Sequence, residues 1–74
     1  MQTAKFSIGQ LVDAWYIKIT GHGHTMEAKD INIVGRIVGV NEMQGGVQYL
    51  VLDGNKTYTI NQGDIEQVLE ESAK

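Results

Sequence analysis

The sequence predicts an all-β domain: a small five-stranded antiparallel barrel with a single helical turn near the C-terminus. Two observations predict it. Apolar residues come in short runs dominated by β-branched and aromatic types, as in strands. The chain has nine Gly and no Pro, which suits strands joined by Gly-based turns. The organising stretch is residues 34–68. Ile37, Val38 and Val40 form one run; Val47, Tyr49, Leu50, Val51 and Leu52 a second; Thr57, Tyr58, Thr59 and Ile60 a third.

In chain order, residues 1–5 read as a frayed lead-in. Phe6, Ile8 and Gly9 precede a dense apolar run through Leu11, Val12, Ala14, Trp15, Tyr16, Ile17 and Ile19. So little polar relief indicates a strand with both faces partly covered, assigned to residues 10–20. A helix is disfavoured by Gly9 and by the β-branched residues.

Beyond Thr20 the alternation stops. Gly21, His22, Gly23 and His24 open the longest predicted loop, which runs to Asp30, with residues 20–29 expected to be the most mobile internal segment. Ile31, Ile33 and Val34 resume a strand pattern in which Gly35 and Gly39 suggest bulges or close backbone approach. Residues 41–46 read as a looser hairpin ending in a Gly pair. Asp53, Gly54, Asn55 and Lys56 form the strongest turn signal, because Gly and Asn tolerate the positive φ of a tight hairpin. Residues 61–64 read as a single turn anchored by Ile65 and Val68. Residues 66–69 follow as a brief last strand or helical turn, and 70–74 are expected to fray.

Seventy-four residues make one domain, and a chain of this size buries only about 60% of its unfolded surface, so its core is marginal. Without Cys it has neither disulfides nor a thiolate zinc site. Tight packing or oligomerisation must supply stability. The net charge is −3, and the six basic residues Lys5, Lys18, Lys29, Arg36, Lys56 and Lys74 are scattered. A surface that tracks phosphates carries a basic stripe, so nucleic acid is disfavoured as a partner. No apolar run approaches the length of a membrane span and no secretory leader is visible, which makes the cytoplasm the expected compartment and excludes a membrane partner.

The order Phe6, Ile8, Gly9, Val12, Ala14, then Gly35, Ile37, Val40, then Tyr49, Val51, Asp53, Gly54, then Tyr58, Ile60, Asp64, Ile65, Val68 resembles the SH3-like barrels of the KOW and Tudor type. Those domains open with an F-x-[VI]-G-x-x-V-x-A pattern and close with a single turn before the last strand. The resemblance implies strand pairing and a core. It does not name a ligand, since such signatures are shared by many functions. The basic residues usual around the first turn of nucleic-acid-binding KOW domains are missing here.

Little in the chain points to chemistry. His22 and His24 alternate on a flexible loop, where two imidazoles can converge on one metal, but only Glu27 and Asp30 are near enough in sequence to complete a set. A structural zinc site normally takes four ligands, so a solvated polar loop is expected and no metal. Ser7 and Ser72 lie at the ends. Asp13, Asp53 and Asp64 are possible paired carboxylates, of which the last two have turn roles. Nucleophile, base and orienter are not visible together, so no catalytic residue, enzymatic activity or cofactor is expected.

Trp15, Tyr16, Tyr49 and Tyr58 are candidates for an aromatic cage or a base-stacking platform. Alternation with Val51 and Ile60 instead places Tyr49 and Tyr58 in the core. If Val12, Ala14 and Tyr16 face inward, then Leu11, Trp15, Ile17 and Ile19 face outward, as do Leu50 and Leu52 on their strand. A bulge would reverse this parity. Contiguous exposed apolar rows mark interfaces, so Trp15, Ile17, Ile19, Leu50 and Leu52 are the predicted contact residues. The resulting expectation is a non-catalytic interaction module, an adaptor or inhibitor of another protein, and a homo-oligomer with a symmetric dimer favoured. The alternatives are a KOW-like nucleic-acid binder and a small-ligand binder using residues 20–29 and the aromatics.

Overall fold

The structure is a computed structural model and describes residues 3–71. The expected fraying of residues 1–2 and 72–74 lies outside the described residues. Five antiparallel strands, β1 (Leu11–Thr20), β2 (Glu27–Met43), β3 (Gly46–Asp53), β4 (Lys56–Asn61) and β5 (Ile65–Glu70), form one sheet in the order β4-β3-β2-β1-β5. Two 3-10 turns, Gly23–Thr25 and Gln62–Asp64, interrupt the strands. The fold class is thus all-β as the sequence predicts, with the second turn in the predicted place.

The sheet curls without closing by hydrogen bonds: among the described residues β4 and β5 form opposite edges and do not pair. Side chains bridge the gap, with the Tyr16 ring of β1 meeting the Tyr58 ring of β4 edge-on at 4.8 Å. Inside the curl lie Val12, Ala14, Ile33, Ile37, Val47, Tyr49, Val51, Ile60 and Ile65, all buried. They alternate with outward residues on each strand, as a one-sided sheet requires. The curl has two devices. A register shift between Ile37 and Gly39 leaves Val38 as an extra residue on β2, a bulge that bends it. Gly35 brings β2 so close to β3 that a Cβ there would stand 2.8 Å from the Leu52 carbonyl carbon.

Two segments depart from the sequence reading. Residues 27–30 belong to β2, not to a loop, and pair with Ile17, Lys18, Ile19 and Thr20. Both faces of that pairing meet water, so no apolar alternation marks it. The expected looser hairpin at 41–46 is tight, since Met43 pairs with Gly46 and only two residues turn. The lead-in also has a structure. Lys5 N–H is held by the Tyr49 hydroxyl at 3.0 Å and by Gln62 Oε1 at 2.9 Å, and Phe6 packs edge-on against the Tyr49 ring.

The pairing leaves part of the molecule unsupported. β5 covers β1 only from Leu11 to Ala14, and β3 covers β2 only from Arg36 onward. Between these limits β1 and β2 project as a two-stranded ribbon. Its residues 17–30 are all exposed. The radius of gyration is 13.2 Å, against about 11 Å expected for a compact chain of this length.

Candidate functional site

The ribbon is built from the first strand's apolar run. Parity puts Val12 and Ala14 into the core and Trp15, Ile17 and Ile19 on the outer face, where they are 39%, 54% and 60% exposed. Their cross-strand neighbours on that face are Asn32, Asp30 and Ala28. The opposite face carries Tyr16 beside Ile31 and then Lys18 directly opposite Lys29, a like-charge pair that weakens an isolated hairpin. The tip is compact. Gly21 supplies a positive φ of 95°, and Thr25 ties back to His22, its hydroxyl donating to the His22 carbonyl at 2.6 Å and its amide at 3.0 Å.

At the ribbon's base the Trp15 indole N–H donates to Glu66 Oε1 at 3.2 Å. The turn Gln62–Asp64 stands alongside, and together they bound a cleft of about 480 Å3 lined by Trp15, Ile17, Asp30, Gly63, Asp64, Ile65 and Glu66. Its lining combines apolar residues with three carboxylates. Among the described residues no basic side chain lines it.

Leu50 and Leu52 also face outward, 42% and 37% exposed, but they form a separate patch. Leu52 pairs with Arg36, which pairs with Leu11, and Trp15 lies four residues further along β1. At about 3.3 Å per residue and about 4.8 Å per strand, roughly 16 Å separates the two. The row between them holds Arg36, whose guanidinium reaches Glu70 at 2.6 Å and the Gly9 carbonyl at 2.9 Å. The predicted contact residues therefore share a face but not a patch.

The remaining candidates do not converge. Tyr49 is buried against Phe6, Tyr16 and Tyr58 face each other across the gap, and Trp15 is on the other side of the sheet, so these four aromatics form no cage. Asp13 accepts from Asn32 and Gln67, Asp53 ends β3, and Asp64 sits in the second turn. His22 and His24 are exposed at the ribbon tip. Among the described residues no group of three His, Cys, Asp or Glu side chains is placed to hold a metal. Zinc is accordingly expected to leave the thermal midpoint unchanged. A site filled at a hundred times its dissociation constant would add about 2.7 kcal/mol, so a rise abolished by His22→Ala with His24→Ala would reverse the assignment.

The sequence reading missed the cleft, because Asp30, Asp64 and Glu66 come together only through the register of three strands. Compared with protein-family models, with curated proteins and with solved structures, the chain shows no match to any of them.

Proposed function

We propose that this chain is an SH3-like, non-catalytic interaction module that binds another protein through the outer face of its ribbon. One observation carries the reading: a two-stranded ribbon exposed throughout residues 17–30 carries Ile17 and Ile19 in a row that continues to the half-open Trp15 at its base. An isolated two-stranded hairpin is at best marginally stable in water, and burying such side chains contributes roughly 1.5–3 kcal/mol each. A partner laid on this face supplies the missing layer.

A second copy of the chain is the second reading, favoured by the spacing of the row. Antiparallel pairing of two β1 edges about a two-fold axis at Ile17 sets Ile17 against its copy and Trp15 against the partner's Ile19, a self-complementary apolar strip. Nucleic acid is supported less. Lys18 and Lys29 meet on the ribbon's underside, but the cleft beside the apolar row is acidic. No helix among the described residues is long and apolar enough to cross a membrane.

The test compares wild type with Ile17→Thr, Ile19→Thr. Thr keeps the β-branching that strands favour while removing apolar surface, so the fold should hold. Quantitative affinity capture from the source's own extract should show a partner reduced at least about tenfold, equivalent to about 1.4 kcal/mol, with a Leu50→Thr, Leu52→Thr variant as comparator. Light scattering decides the second reading: a dimer that becomes monomeric in the ribbon variant supports it. Equal capture and equal mass for wild type and ribbon variant would reject both.

A further inference from the structure

We infer that the cleft at the ribbon's base accepts a Lys or Arg side chain presented by an extended segment of the partner protein. This rests on the reading of the ribbon as a protein-binding surface and names the chemistry of what it binds.

Two independent features converge. The first is charge. Asp30, Asp64 and Glu66 rim the cleft, and among the described residues neither Lys, Arg nor His lines it. The one ion pair among the described residues, Arg36 with Glu70, lies elsewhere. The Trp15 indole lines the same cleft, its N–H engaged by Glu66 and the residue partly open to solvent. A cation lowered onto that ring meets the negative face of the π-system and carboxylates that no cation lining the cleft neutralises. The aliphatic stem of Lys or Arg fits the exposed Ile17 side chain beside it.

The second feature is the open edge. β5 stops pairing with β1 at Ala14 opposite Ile65, and from Trp15 to Thr20 no strand of the described residues lies on that side of β1. The unpaired edge is a template for an added strand. A segment docked there continues the line that β5 vacates, and strand alternation sends every second side chain over Trp15 and Ile17. The net charge of −3 favours encounter with a basic partner.

Trp15 is the single Trp of the chain, so its fluorescence reports the cleft directly. The full chain is titrated with the hexapeptide acetyl-KVKVKV-amide and with acetyl-EVEVEV-amide. The lysine peptide should give a saturable change in Trp15 emission at least about tenfold tighter than the glutamate peptide, weakened as salt shortens the range of charge interaction. Asp30→Asn with Asp64→Asn should cost at least about tenfold in affinity, with folding checked by circular dichroism. Glu66→Gln, which keeps an acceptor for the indole N–H, should weaken binding in the same direction. Equal binding of the two peptides, no binding of the lysine peptide at millimolar concentration, or an unchanged affinity in the double variant overturns the assignment. Capture from extract separates this failure from that of the parent reading. A partner lost by the Ile17, Ile19 variant but fully retained by the Asp30, Asp64 variant removes the basic segment and leaves the ribbon as the binding face.

Discussion

Gly35→Ala is expected to lower stability by about 3 kcal/mol, the upper part of the usual range for overpacking. The reason is what the new methyl would meet. A Cβ at Gly35 runs into the Leu52 carbonyl oxygen, stands 2.8 Å from the carbonyl carbon and is 2.9 Å from Val51 Cγ1. Two of these are backbone atoms of a paired strand, which no rotamer change can move. Relief requires β2 and β3 to separate at the point where the sheet curls, and the buried Val51 and Ile37 are carried with them. For a domain this small each kcal/mol shifts the midpoint by about 4–8 °C, so a fall of roughly 12–24 °C follows. With total stability on the order of 4–11 kcal/mol for this length, that is a large fraction. Gly45→Ala is the control. It sits in the β2–β3 turn with nothing within 4 Å of a built Cβ and without a positive φ, so its midpoint should move by no more than about 0.5 kcal/mol equivalent. Equal midpoints for the two variants in thermal unfolding would show that the approach of the strands at Gly35 is not rigid.

That close approach is partly legible in the residue pattern alone. Glycine inside a strand pattern signals a bulge or a tight approach, and the two interpretations divide between Gly39, beside the bulge, and Gly35, against Leu52. Legible for the same reason are the Asp53 to Lys56 turn, where Gly54 takes a φ of 66°, and the alternation that puts Tyr49 and Val51 inside and Leu50 outside. In each case a backbone requirement or a core contact writes itself into nearby residue types. Residues 27–30 have no such signature, because a strand wet on both faces has no preferred residue for either. The cleft is hidden for another reason. Trp15, Asp30 and Glu66 are remote in sequence, and their meeting depends on the β1–β2 register and on where β5 stops.

The other large effect expected is at a hydroxyl. Tyr49 is buried, and its oxygen accepts from the amides of Lys5 at 3.0 Å and Phe6 at 3.2 Å while donating to Gln62 Oε1. One atom therefore ties β3 to the lead-in and to the second 3-10 turn, whose Gln62 also donates to the Thr3 carbonyl at 3.2 Å. Tyr49→Phe keeps the ring and its edge-on contact with Phe6 but removes that atom. Lys5 N–H still has Gln62 Oε1, whereas Phe6 N–H, at a half-buried residue, is left without its partner. An unsatisfied buried donor costs roughly 1–3 kcal/mol, and with partial access to water about 1–2 kcal/mol is expected here. Gln62→Ala breaks the same network from its other side. Because both variants disrupt shared partners, their effects should not add: urea unfolding of the two singles and the double should yield a coupling energy of about 1 kcal/mol. Hydrogen exchange should locate the damage, with the Phe6 amide losing protection in Tyr49→Phe while amides of the β1–β2 ribbon are unaffected. Additivity within about 0.3 kcal/mol, or unchanged protection at Phe6, would mean that apolar packing of Phe6 on the Tyr49 ring, and not the hydroxyl, anchors the start of the chain.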